Sequence, residues 1–172
     1  MTQAPVGIGS RRRRVEDPPL LAGRGRYAGD LCLPGMAHLV AVRSPLARAR
    51  IERIGVDAAR QLPGVLAVWT AADLPERART VAEDFVPPGL ERFPRPVLAG
   101  DEVRYGGEIL AVIVAETPAV AADAAELVEL DLEPEPAAGT VEAAIAPGAP
   151  AVHSEVPDNL GFTSQAAFGD VD

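Results

Sequence analysis

The 172-residue sequence has no lysine: all 16 basic residues are arginine, and every one lies at or before Arg104. From Tyr105 to Asp172 there are 13 acidic residues and no basic one, so the net charge of −9 hides a first part of net +4. Such a dipolar chain either docks electrostatically on a partner or simply carries solvated faces of opposite sign. The arginines are dispersed and lack aromatic interleaving, which argues against a nucleic-acid partner. Cysteine is almost absent too. Cys32 alone excludes an internal disulfide, a four-cysteine zinc site and an iron–sulfur cluster held by this chain alone. Aromatics make up 4% of the chain, so its core has to be aliphatic and rich in alanine. No apolar run approaches the roughly 20 residues of a membrane span. Arg11 to Arg14 lead into Val15-Glu16-Asp17-Pro18-Pro19 rather than an apolar segment, so an export signal is not expected and the cytoplasm is.

What is present organises itself around residues 101–134. Tyr105-Gly106-Gly107-Glu108 reads as a tight hairpin turn, because glycine accepts the positive φ of primed turns. Ile109 to Ala115 is an apolar run suited to a strand buried on both faces. Thr117 and Pro118 form a helix start, with a side-chain oxygen at the N-cap and proline where no amide is needed. Val120, Ala124, Leu127 and Val128 recur on one helix face. Val128, Leu130 and Leu132 then alternate with Glu129, Asp131 and Glu133, the pattern of a half-exposed strand. The first half reads similarly: strands at 37–43 and 49–54, a helix at 56–62 with Asp57 as N-cap, and a strand at 65–70 in which Trp69 packs. Residues 73–96 form a proline-punctuated loop, helical in part around 76–84, and Thr140 to Ile145 form a last short helix. The expected class is α+β: one mixed sheet of four to six strands, two main helices on one face, and an extended N-terminal arm. The expected division is a disordered basic segment at 1–14, a folded domain at 15–150 and an extended tail at 151–172.

No catalytic, cofactor-binding or metal-binding constellation is legible. His38 and His153 have no nucleophile paired to them by local motif. Gly7-Ile8-Gly9 has neither a preceding strand nor a third glycine. The carboxylates of Glu129, Asp131, Glu133 and Glu135 read as the solvent side of a strand rather than a metal site. Leu20, Leu21 and Tyr27 sit in an aperiodic segment that cannot bury them, so with the flanking Arg14 and Asp17 they are candidates for a partner interface. Arg104 and Glu108, around the glycine turn, are the remaining candidates.

Several phrases in fixed order carry a resemblance: RRVEDPPLLAGRGRYAGDL (13–31), LPGMAH (33–38), VRSPLARARI (42–51), LPGVLAVWTAADLP (62–75), RPVLAGDEVRYGGEILAVIVAET (95–117) and APGAPAVHSEVPDNLGF (146–162). Together they resemble the α/β hammerhead domain that opens the large subunit of molybdenum hydroxylases, the family of xanthine dehydrogenase, aldehyde oxidase and the carbon monoxide dehydrogenase large chain. The resemblance implies a non-catalytic portion of an oxidoreductase, packing on a molybdopterin-binding region of the large subunit, with FAD and iron–sulfur subunits as further partners. It implies molybdenum in the assembled enzyme and none held by this chain alone. The sequence ends about where that family continues into the cofactor-binding region. It departs from the family at Leu46 and Arg48, where histidines are frequent, and at Ile109-Leu110, where proline–valine is common. The alternative is a stand-alone scaffold or binding protein that kept the fold without the enzyme.

Overall fold

A computed structural model describes residues 14–81, 86, 90 and 93–169. They belong to two compact units, residues 1–36 and 37–172. The expectation for residues 1–14 falls, Arg14 apart, outside the described residues. In the first unit, helix α1 (Asp17–Leu21) opens with Pro18 and Pro19 in its first turn, where missing amides cost nothing. It ends at Gly23, whose positive φ suits the left-handed stop. A 3-10 turn at Ala28–Asp30 is closed by the Tyr27 amide donating to Asp30 Oδ2 at 2.9 Å. This segment is therefore partly helical, not extended throughout as expected.

The second unit contains β1 (His38–Arg43), β2 (Ala49–Gly55), α2 (Asp57–Gln61), β3 (Val65–Thr70), β4 (Glu102–Val103), β5 (Ile109–Ala115), α3 (Pro118–Glu126), β6 (Glu129–Pro134) and α4 (Val141–Ile145). The α+β class stands, and the six strands match the expected number. Their arrangement is finer than one mixed sheet: they form two antiparallel sheets, ordered β1-β5-β3 and β4-β2-β6. In each half of the unit a helix carries the chain from one sheet to the other, α2 between β2 and β3, and α3 between β5 and β6. This gives the order similarity of the two halves its physical content.

β5 is central in its sheet, and Leu110, Ala111, Ile113 and Ala115 are all buried, as a strand covered on both sides requires. One core holds Val42, Val56, Ala59, Val68, Ala111, Ile113 and Ala124; a second holds Ala49, Ala99, Val103 and Leu110. Ile54 and Leu130 pack against both and so join the two sheets. Thr117 accepts the Val120 amide at 3.2 Å, and Thr140 accepts the Ala143 amide at 3.2 Å, which starts α3 and α4. The buried face of α3 is Ala121 and Ala124, and Leu127 is exposed. Small side chains are what let a helix lie close on a sheet, so the larger leucine turns outward.

Three local expectations change. The turn at residues 105–108 has positive φ at Gly107 alone, the mark of a type II turn, and it links strands of different sheets rather than closing a hairpin. Its frame is Ser44, which donates its amide to the Glu108 carbonyl and accepts the Gly107 amide, each at 2.9 Å. Val56, not Asp57, is the N-cap of α2, with no side-chain cap. Trp69 is 44% exposed rather than packed. The base of the 73–96 loop is closed by Val81 donating to the Arg95 carbonyl and Val97 to the Arg79 carbonyl, both at 2.8 Å. The expected helical stretch appears as a 3-10 turn at Glu76–Ala78, and its remainder falls partly outside the described residues.

Candidate functional site

The basic and acidic parts of the sequence meet in the second sheet. β2 carries Arg50 and Arg53, and β6 carries Glu129 and Glu133 directly across from it. Arg53 pairs with Glu129 at 2.6 Å, and Arg50 pairs with Glu133 and, at 2.5 Å, with Glu52. Both guanidinium pKa values are raised, Arg50 chiefly by its hydrogen bond to Glu133 and Arg53 by that to Glu129. These pairs are exposed and contribute little stability each. Their consequence is charge balance. The carboxylates of β6 face solvent as expected, but they also neutralise β2, so much of the chain's polarity is spent internally.

Below this ladder lies a buried polar cluster. Arg48, 8% exposed, donates from Nη2 to Glu102 Oε2 at 2.9 Å and pairs through Nε with Glu135 at 3.1 Å. It also donates to the Val152 carbonyl and, at 3.2 Å, to Ser154 Oγ. Arg104 pairs with the other Glu102 oxygen at 3.1 Å. Ser154 donates its hydroxyl to Glu102. Two arginines and a serine thus surround one carboxylate, a satisfied arrangement for a charge out of water. Arg104 Nε is a buried donor without an acceptor among the described residues.

The cluster binds the segment after α4. Val152 and Ser154 are held by Arg48, and Asn159, at φ 52, accepts the Val152 amide and donates to the Ala144 and Pro150 carbonyls, both at 2.9 Å. His153 stands edge-on to Phe93, ring centroids 5.1 Å apart. Burial, then the charges of Arg104 and Arg48, lowers its pKa and keeps the ring neutral at pH 7. The start of the expected extended tail is therefore anchored to the cluster through Val152, Ser154 and Asn159.

Burial alone raises the Glu102 pKa, but the Ser154 hydrogen bond and the charges of Arg104 and Arg48 outweigh it and hold the carboxyl below its usual range. A depressed carboxyl contributes stability that is present above its unfolded pKa and lost as pH falls through the folded one. The gap in urea midpoint between the unmodified chain and Glu102→Gln should be full at neutral pH and narrow as pH falls below the unfolded glutamate value of about 4.3. A gap that stays constant with pH would show that Glu102 is not the group titrating.

The candidate interface residues divide by unit. In the first, Arg14 pairs loosely with Glu16 at 3.5 Å and Asp17 lies in the first turn of α1. Leu20 packs on Gly25, where a Cβ would stand 2.6 Å from its methyl, while Leu21 is 88% and Tyr27 65% exposed. In the second, the fold brings Arg104 and Glu108 together: the Arg104 amide donates to Glu108 Oε2 at 2.5 Å and its guanidinium to Oε1 at 3.4 Å. Glu108 is 3% exposed. Its carboxylate is turned inward to close the glycine turn. Arg48, Glu102, Ser154 and Asn159 were not singled out as partners. Arg48 carried one signal, an arginine at a position where the resembled family has histidine.

Every carboxylate in the cluster faces a donor, and its one hydroxyl, that of Ser154, meets a carboxylate already paired with two arginines. Among the described residues there is no group of three or more metal-ligating side chains, and no helix is long and apolar enough to cross a membrane. Among the described residues, neither the glycine turn nor Arg48 offers a free set of donors that fits a molybdopterin group. The Gly107 and Glu108 amides are taken by the Ser44 and Tyr105 carbonyls, and the guanidiniums of buried Arg48 and half-buried Arg104 already face carboxylates.

Two antiparallel sheets linked by crossing helices, with this ordered set of phrases, define a family. The chain belongs to the aldehyde oxidase and xanthine dehydrogenase α/β hammerhead domain family, whose model matches residues 22–136. It is similar to the nicotine 6-hydroxylase large subunit of Paenarthrobacter nicotinovorans, 42% identical over 96% of this chain and 20% of that protein. It is also similar to the carbon monoxide dehydrogenase large chain of Afipia carboxidovorans, 40% identical over 90% of this chain and 18% of the relative. A xanthine dehydrogenase molybdenum-binding subunit of Escherichia coli is 34% identical over 82% of this chain and 19% of its own. Among solved structures, a Cu,Mo-CO dehydrogenase superposes with a TM-score of 0.71 at 40% identity, over 94% of this chain and 20% of that one. The chain spans about a fifth of the length of these relatives.

Proposed function

We propose that this chain serves as the non-catalytic hammerhead portion of a cytoplasmic molybdenum hydroxylase, packing on a molybdopterin-binding region of the large subunit. The observation that carries this is the hammerhead match together with relatives of which it covers only a fifth, one of them a molybdenum-binding subunit. The assembled enzyme oxidises an aldehyde, an aromatic nitrogen heterocycle or carbon monoxide, and carries FAD and iron–sulfur subunits beside the large one. When bound in the assembly, the molybdenum cofactor supplies the redox chemistry. This chain supplies none of its first contacts, because the donors suited to phosphate are engaged internally. The hammerhead domain runs over residues 15–150, with the anchored segment to Leu160 as its seal. Its partner contacts are Arg14, Asp17, Leu20, Leu21, Tyr27 and Arg104. The exposed Leu21 and Tyr27 support the first group. The partly exposed Arg104 side chain, which Glu108 positions, is the remaining contact.

Molybdenum content and turnover, measured for the chain alone and with the large-subunit region supplied in trans, test this. The chain alone should retain no molybdenum and oxidise none of these substrates, and the mixture should bind metal and form a stable complex. Activity from the chain alone would overturn the assignment, as would a failure of the two parts to associate.

A further inference from the structure

Among the described residues the sheets end in four strand edges, on β1, β3, β4 and β6. A free edge pairs readily with another strand unless something blocks it. β4 has only two residues. β6 carries Glu129, Asp131 and Glu133, so a second copy laid against it meets like charge. β1 ends in Arg43 and begins with His38. β3, Val65-Leu66-Ala67-Val68-Trp69-Thr70, has no ionisable residue, and Leu66 and Trp69 are exposed at 56% and 44%. An antiparallel pairing of β3 with itself brings no like charges together and joins two sheets through strands rich in β-forming residues.

The groups that such a pairing needs are occupied. Arg60, in the last turn of α2, reaches over to donate from Nη2 to the Val68 carbonyl at 3.1 Å. Asp73, in the 3-10 turn after β3, accepts the Thr70 amide at 2.8 Å and the Thr70 hydroxyl at 2.9 Å. Val68 and Thr70 are two apart on a strand, so these backbone groups point to the same side, away from β5. Arg60 and Asp73 then hold each other in a two-oxygen pair at 2.9 and 3.0 Å. The Thr70 backbone hydrogen bond, joined by the Thr70 hydroxyl and Arg60 and opposed by burial, lowers the Asp73 pKa, so the carboxylate is charged at neutral pH.

We propose that Arg60 and Asp73 are an edge guard: their pair covers the only long uncharged strand edge among the described residues and keeps β3 from pairing with β3 of a second copy. If the pair merely ties α2 to the turn after β3, its loss softens the fold without creating a specific contact. The two cases separate by rescue. Sedimentation of the 172-residue chain, of Arg60→Gln and of Asp73→Ala, each with and without Leu66→Lys, measures the mass. Either guard variant should double in mass relative to the unmodified chain, and adding Leu66→Lys, which sets a charge on the edge, should return it to the unmodified value. Three results overturn the guard. One is a mass unchanged in both variants. Another is association that Leu66→Lys does not reverse, which is how plain misfolding registers. The third is an unmodified chain that itself loses mass on Leu66→Lys, because its edge is then already open.

Discussion

Replacing Ile113 with alanine should cost the chain about 3 kcal/mol of unfolding free energy, the middle of the range for a large-to-small change in a core. Ile113 is fully buried at the centre of β5, opposite Val40 on one side and Val68 on the other. The size of the effect follows from what surrounds it. The core around Ile113 is built largely from Ala59, Ala111, Ala124 and valines, short or stiff side chains that cannot swing into a vacated space. A core of long flexible residues would collapse and recover part of the loss. Val112→Ala, one residue away on the less buried face, should cost well under half as much. Urea denaturation of the two variants makes the comparison, and a loss below about 1 kcal/mol for Ile113→Ala would mean that the core relaxes in spite of its alanines.

Arg48→Met should be comparably severe, about 3 kcal/mol, for an electrostatic reason. Removing one partner of a buried pair leaves the other as an uncompensated charge. Glu102 would keep Arg104 and Ser154 but lose its least exposed cation, and the Val152 carbonyl would lose its donor. Two readouts separate this from lost packing. Adding Glu102→Gln to Arg48→Met should cost less than the sum of the single changes, since the stranded charge is gone. Amide exchange should rise over residues 150–160, which Arg48 holds, while β5 keeps its protection. Additive losses, or exchange rising equally in β5, would contradict the anchoring role.

Both predictions rest on residues that differ in how visible they are in the sequence. The Ile109–Ala115 strand needed no tertiary knowledge, because seven apolar residues between a glycine turn and Thr117-Pro118 leave few other conformations. The starts of α3 and α4 were equally local, since Thr117 and Thr140 cap amides three residues ahead of them. Arg48 was legible only as a departure from a family pattern. Its partners lie 54 and 106 residues away at Glu102 and Ser154, and no spacing rule connects them. Glu108 could be placed only beside the glycine turn; that its carboxylate turns inward to the Arg104 amide and guanidinium is a tertiary fact.

By itself the sequence determined the strands and helices between residues 37 and 145, their order and the family. Hydrophobic period, caps and turn residues act over a few positions, and the ordered phrases are a property of the string. Tertiary structure decided which strands pair, and so divided six strands into two antiparallel sheets instead of one. It also decided that the basic first part and the acidic remainder neutralise each other across β2 and β6, and that Arg60 and Asp73 close the free edge of β3. A strand's backbone hydrogen bonds can be satisfied by any neighbour of suitable shape, and an arginine's charge by any carboxylate within reach. Which one serves is set by how the whole chain packs, not by the residues beside it.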